Sequence, residues 1–147
     1  MAAQTETKNQ SPITHVGPSP HLANTSLTTH SMMYDVLIGL APVMFMAMVF
    51  FRWGAVVQVG LCVVFCVLFE ALFCAMAGKK ITIEDGAAVV TGVILGLSLP
   101  WNANWYIAAV SSAVGIGLGK IVFGGLGFNI FNPAMVGRAF VMLSFPK

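Results

Sequence analysis

Long apolar runs alternate with short polar breaks along most of this chain. The runs cover residues 32–51, 54–77, 86–99, 105–123 and 133–145. About twenty apolar residues are enough for a helix to cross the hydrocarbon core of a bilayer. The pattern therefore predicts an all-α membrane helix bundle with four crossings and an incomplete fifth. The run at 86–99 is too short for an ordinary span and is expected to be the shortest helix.

Residues 1–31 are different because they are rich in Ser, Thr, Pro, Asn and Gln and have no hydrophobic period. We interpret them as a polar N-terminal leader, mobile or lying on a surface, before a transmembrane domain at 32–147. The leader is not a signal peptide, because no short apolar core ends at a small-residue cleavage site.

Composition supports a lipid environment for most of the chain. Hydrophobic residues make up 58% of it and charged residues only 8%, with a mean hydropathy of +0.88, whereas soluble domains carry about a quarter charged residues. The net charge of +2 is too small to indicate a nucleic-acid partner.

One charged residue lies well inside the second run. Cys62, Cys66, Glu70 and Cys74 recur every four residues, which places them on one helix stripe. Packing is the favoured interpretation of the cysteines over metal ligation, and we predict no metal site. An ionisable residue inside a span is a candidate for ion or proton handling, and a buried pair or an interhelical hydrogen bond is the structural alternative for Glu70.

Small residues at four-residue spacing predict two close helix contacts, because they let backbones approach each other. One face lies in the third run and one in the fourth: Ala88, Gly92 and Gly96, and then Ser111, Gly115 and Gly119.

A glycine-rich stretch precedes the last apolar run. Gly124, Gly125 and Gly127 allow sharp turns, and Asn132 followed by Pro133 is typical of a helix start. We predict a non-helical loop at 124–132 inside the bundle, facing residues 85–92 across a cavity. The helix N-terminus would then favour an anionic group there. A simple connector between two spans is the alternative.

The same stretch carries a family resemblance. The sequence FGGLGFNIFNPAMVGRAF at 123–140 closely resembles the RnfD subunit of the Rnf electron-transport complex. Matches at 19–21 (SPH), 85–92 (DGAAVVTG) and 97–101 (LSLPW) agree in order. The sister subunit NqrB of the sodium-pumping NADH:quinone oxidoreductase is similar, and GRAF at 137–140 leans toward its pattern. The chain resembles only the N-terminal half of such a subunit, as a truncated product or a partial gene model would.

The resemblance implies a flavin, FMN, linked through its phosphate to a threonine in a Ser-Gly-Ala-Thr motif. It also implies an RnfG-like flavin subunit and other Rnf-type membrane subunits as partners, beside membrane lipid. Such complexes move electrons between ferredoxin and NAD, coupled to Na+ or H+ translocation. No Ser-Gly-Ala-Thr occurs here, and the linkage is not transferred to Thr91.

From the two lines of reasoning together, we predict no catalytic residue. The candidate cofactor-binding residues are Gly124, Gly125, Gly127, Asn129, Asn132, Asp85 and Thr91. The candidate ion-coupling residues are Glu70 and Arg138, and Arg138 is expected to pair with an acid or to face the polar side.

Charge placement predicts the orientation. Lys8, Lys79, Lys80 and Lys120 fall on one side of the membrane and Arg52 on the other, so the positive-inside rule makes the leader cytoplasmic. The expected location is the bacterial cytoplasmic (inner) membrane.

Two functions of other classes stay open at this stage. Short hydrophobic segments, a glycine loop and a buried acid also suit half of an inverted-repeat transporter or channel without a redox role. A subunit whose glycines serve only helix packing is the third.

Overall fold

Five helices form a bundle in the computed structural model, which describes residues 15–16, 22–23, 29–78, 86–124 and 129–145. The helices, with the π-helical turn that follows the fourth, are α1 Thr29–Phe51, α2 Trp53–Met76, α3 Ala87–Ser98, α4 Trp105–Ile116, the turn Gly117–Ile121, and α5 Pro133–Ser144. In the described part of the leader, His15–Val16 pairs with Leu22–Ala23 as two antiparallel two-residue strands.

The helix bounds follow the predicted runs with three differences. Helix α1 begins at Thr29, so three residues assigned to the leader are helical. Helices α3, α4 and α5 have 12 residues each, so α3 is not the shortest alone. Helical structure after Trp105 ends at Ile121, short of the full span expected at 105–123. Helices α1 and α2 are long and apolar enough to cross a membrane.

Helices α2 and α3 run antiparallel and touch backbone to backbone. A β-carbon at Gly92 would lie 2.5 Å from the Cα atom of Val63, and one at Gly96 would lie 2.6 Å from the Cα atom of Val59. Only glycine permits this separation, which confirms the close contact predicted from the small face of α3.

The second small face joins α4 to α5, also antiparallel. Gly137 fits against the carbonyl oxygen of Ser111, and a β-carbon at Gly115 would lie 2.7 Å from the carbonyl oxygen of Pro133. At Gly119 a β-carbon would lie 2.8 Å from the Cα atom of Pro133. The predicted close approach is again confirmed.

Helix α1 lies along the outside of the other helices. Its first turns approach the start of α3, where Met33 lies beside Gly86, and its last residue Phe51 stacks on Trp101 beyond the end of α3. Helix α1 is therefore parallel to α3, and none of its residues is buried.

The interior of the bundle is small and partly polar, while its outside is strongly apolar. The core cluster is Cys62, Cys66, Leu95, Leu99, Ile107, Ala108, Ile116, Ala134 and Val141. Phe45, Phe50 and Leu143 are among many exposed large apolar side chains, whereas Glu70 and Lys120 are buried. Apolar groups outside and ionisable groups inside are the distribution expected for a protein in lipid.

Candidate functional site

The cysteine stripe of α2 is the face that this helix turns into the bundle. Every buried residue of α2 recurs at a spacing of three or four: Ala55, Gln58, Cys62, Cys66, Glu70 and Cys74. The sequence prediction of a single stripe is thus confirmed. Its polar members sit deep in the bundle, because Glu70 is fully buried and Gln58 nearly so.

Glu70 forms an ion pair with Lys120. The Lys120 Nζ atom donates a hydrogen bond to Glu70 Oε1 at 2.5 Å. The two side chains are 0% and 2% exposed, so the pair is shielded from any solvent or lipid around this chain. Breaking such a pair leaves a buried charge uncompensated, which is far more costly than losing a surface salt bridge.

Lys120 comes from the π-helical turn at the end of α4. The N–H of Val122 donates to the carbonyl oxygen of Gly117, five residues earlier, at 3.1 Å. Gly117 and Gly119 lie within the turn and give the backbone freedom for this wider winding. Single π-helical turns inside α-helices are rare and occur often at functional sites.

A second polar contact between α2 and α4 joins Cys66 and Ser112, one helical turn before Glu70 on α2. Ser112 is buried on α4 beside the Cys66 thiol, but its Oγ atom makes no hydrogen bond of ordinary geometry in the described part of the chain. Cys66 precedes Glu70 by four residues, and Ser112 precedes Lys120 by eight. Helices α2 and α4 are therefore parallel where they meet, and Ser112, Ile116 and Lys120 form the α4 side of the contact.

Sequence reasoning missed the role of Lys120, which it used as a positive charge flanking the membrane. Buried in the bundle, Lys120 cannot serve as an interfacial anchor, so that part of the orientation argument is wrong. Two signals could have found the pair. The apolar run continues past Lys120 through 121–123, and Lys120 lies four and eight residues after Ile116 and Ser112.

The glycine loop is described only at its two ends. Gly124 has φ of 115°, a conformation that favours glycine. Asn132 caps α5 by accepting a 3.0 Å hydrogen bond from the N–H of Ala134, and Pro133 takes the first helical position. Asn129 is half-buried. The predicted cap and helix start are confirmed.

The predicted cavity between 124–132 and 85–92 stays a prediction. Asp85, Gly125 and Gly127 lie outside the described residues, and the helix next to Asp85 has Gly86 at its N-cap position. Near α5, Ile130 and Phe131 are 70% and 63% exposed. These two side chains lie at the surface of this chain, contrary to a loop enclosed by the bundle.

Two further candidates stand apart from the ion pair. The Thr91 hydroxyl is buried in α3 and donates a 2.8 Å hydrogen bond to the Ala87 carbonyl oxygen of the same helix. Arg138 is half-buried on α5 and has no ion pair among the residues that the structure describes. The structure therefore does not bring Thr91 or Arg138 into contact with Glu70.

The end of the bundle opposite the Glu70–Lys120 pair contains an apolar cavity of about 390 Å³. It is lined by Leu99, Pro100, Asn102, Ala103, Ile107, Val141, Met142 and Phe145. The ion pair is not part of its wall. Within 29–78, 86–124 and 129–145, no group of three His, Cys, Asp or Glu side chains could hold a metal ion.

Comparison with known proteins gives a consistent match over most of the chain. The model of the NQR2, RnfD, RnfE family matches residues 15–147. The D subunit of the Na(+)-translocating ferredoxin:NAD(+) oxidoreductase complex of Acetobacterium woodii is 42% identical over 131 residues, which cover 89% of this chain and 41% of that protein.

Other relatives carry a similar name. The D subunit of the ion-translocating oxidoreductase complex of Marinobacter nauticus is 38% identical over 130 residues, covering 87% of this chain and 37% of that protein. The protein of the same name from Alcanivorax borkumensis is 40% identical over 133 residues, which cover 87% of this chain and 38% of that protein. The chain spans about two fifths of the length of these relatives.

Proposed function

This chain belongs to the NQR2, RnfD, RnfE family, and from that premise we propose that it helps couple electron transfer to the translocation of Na+ or H+ across a membrane. In this proposal it acts within a subunit of an ion-translocating oxidoreductase complex, as its relatives' names describe them. The Glu70–Lys120 pair supplies the ionisable group that such coupling needs.

The observation that carries the proposal is the burial of a complete charge pair in a bundle with an apolar outside. Glu70 and Lys120 are the only buried charged residues in the described part of the chain. Placing two ions in such a site costs on the order of several kcal/mol per ion before their attraction is counted. Cys62 and Cys66 of α2 already pack with Ile116 of α4 in the core cluster, so packing alone does not require the pair.

The position of the pair supports a working role as well. Glu70 lies on α2, about two turns beyond the point where Val63 packs against Gly92 of α3, whereas Lys120 lies on a π-helical turn that ends a helix. A carboxylate on a regular helix and a cation on a less regular turn form a site that we propose can open and close.

Thr91 is not a suitable covalent attachment point for FMN. The Thr91 hydroxyl lies inside α3 and is used by the Ala87 carbonyl oxygen, so it does not suit a phosphate linkage. Noncovalent contact of the loop around Gly124 with FMN in the full-length subunit remains a proposal from the family resemblance, as does an RnfG-like partner.

Location and orientation are proposed on similar grounds. A bacterial inner membrane fits a complex of this kind. Lys8, Lys79 and Lys80 still oppose Arg52 after Lys120 is removed from the count, which supports a cytoplasmic N-terminus.

The proposal is tested by Glu70→Gln in the full-length subunit, assembled in its complex in membrane vesicles. The amide keeps an oxygen that can accept from Lys120 but loses the negative charge, so we expect assembly to persist and ion uptake per electron transferred to fall. Radioactive sodium and a pH-sensitive dye measure the uptake, and NAD reduction measures electron transfer. Ion uptake at the wild-type ratio would show that Glu70 has no coupling role. Loss of assembly would show instead that the ion pair is structural.

A transporter or channel without redox role is not favoured, because the matched relatives are named as oxidoreductase subunits.

A further inference from the structure

The buried pair is electrically neutral, and this limits how a cation can use it. With the Lys120 ammonium on Glu70 Oε1, a second cation at the same carboxylate would leave one net positive charge in the bundle interior. An uncompensated charge in such surroundings is strongly unfavourable. A cation can therefore bind Glu70 stably only if the ammonium group leaves the bundle interior, toward the exposed residues Val122 and Phe123 that follow the turn.

We propose that Lys120 is an internal counter-cation, and that a translocated monovalent cation binds the Glu70 carboxylate only in exchange for the Lys120 ammonium. This inference rests on the coupling role proposed for Glu70. It assigns to Lys120 a positioning and gating role, because the lysine decides when the carboxylate is available.

The π-helical turn supplies a route for the exchange. Gly117–Ile121 is wound with a five-residue hydrogen bond from Val122, while α4 before it is α-helical. A change between π and α winding rotates the following side chains about the helix axis. Lys120 lies within this turn, so the change moves its ammonium group relative to Glu70, which stays on α2.

Oxygen atoms near the pair suit a hard cation. Ser112 is fully buried, and its Oγ atom has no hydrogen bond of ordinary geometry in the described residues, although a buried hydroxyl normally has a partner. Ser112 lies beside Cys66, one turn from Glu70. A carboxylate and a hydroxyl oxygen are ligands of the kind that hard cations take.

The test uses the full-length subunit in its complex in membrane vesicles, with Na+ as the probe cation. Lys120→Gln removes the competing charge, so the apparent KM for Na+ in electron transfer should fall by roughly tenfold or more. Lys120→Arg keeps a charge that is always present and can form two hydrogen bonds with a carboxylate, so the apparent KM should rise. Leu68→Val, at an exposed side chain of α2 outside this turn, is the control and should leave KM unchanged.

If the translocated cation is a proton, the same two shifts are expected in sodium-free buffer. They are then measured as changes in the proton concentration that gives half-maximal proton uptake, which the pH-sensitive dye reports. If Lys120→Gln does not assemble, Lys120→Arg decides, because an unchanged apparent affinity in that variant contradicts the exchange.

The two proposals fail differently. Glu70→Gln with normal ion uptake rejects the coupling role itself. Loss of uptake in Glu70→Gln, together with wild-type cation affinity in both Lys120 variants, leaves the coupling role standing and rejects the exchange.

Discussion

Helices α1 and α2 are nearly equal in length and both apolar, yet α2 packs into the bundle and α1 lies along its outside. Helix α2 has 24 residues and buries six of them, while α1 has 23 residues and buries none. In lipid an apolar side chain gains little by leaving its surroundings for another apolar surface, because lipid tails are as apolar as leucine. Small and polar residues at helical spacing therefore decide which helix packs, and α2 has a stripe of them.

The contrast predicts where a substitution matters. On α2 and its neighbours, changes at small or charged positions should have large effects. On α1, chemically matched changes should have little effect on the stability of this bundle.

The largest effect is expected from Glu70→Leu. It leaves the Lys120 ammonium buried without its partner, and breaking a buried pair costs about 3–5 kcal/mol. The free energy of unfolding of the purified full-length subunit in detergent, measured by denaturant titration, should fall by that amount.

The matched control is Asp35→Leu on α1, where the carboxylate is exposed. It removes the same charge from a site without a buried partner and should not lower the free energy of unfolding. Equal losses in the two variants would contradict the contrast between the helices.

A smaller effect is expected from Gly92→Ala. The added β-carbon would lie 2.5 Å from the Cα atom of Val63, so α2 and α3 must separate, and overpacking of this kind costs about 1–3 kcal/mol. Gly39→Ala on α1 adds the same atom where nothing lies within 4 Å. It should leave stability unchanged or raise it by up to about 1 kcal/mol. The same titration measures both, and a destabilising Gly39→Ala would indicate a helix contact at that position.

The smallest effect is expected at an exposed aromatic residue. Phe45 on α1 is 65% exposed, so Phe45→Ala should change the free energy of unfolding by no more than about 0.5 kcal/mol. Phe69 on α2 is half-buried and packs against the core cluster, so Phe69→Ala should cost clearly more. A loss at Phe45 as large as the loss at Phe69 would show that α1 is held by packing that its exposure does not indicate.

Periodicity was enough to predict a helix bundle and the faces at which two of its helices are closely approached. Apolar length located the helices, the four-residue spacing of Cys62, Cys66 and Glu70 predicted the buried face of α2, and Gly92 and Gly96 predicted a close neighbour. Asn132 and Pro133 predicted the start of α5. These features are local or repeat along one helix, so the sequence carries them directly.

The partner of Glu70 could not be chosen in the same way. Glu70 and Lys120 are 50 residues apart, and a lysine near the end of an apolar run is equally suited to the membrane interface. The sequence by itself determined that one acid lies within a span and on which helix face. Only the packing of α4 beside α2, with a π-helical turn at its end, decided that Lys120 lies inside and compensates that charge. The physical reason is that a helix period specifies a direction around one axis, whereas a charge pair requires two axes at a given distance and register.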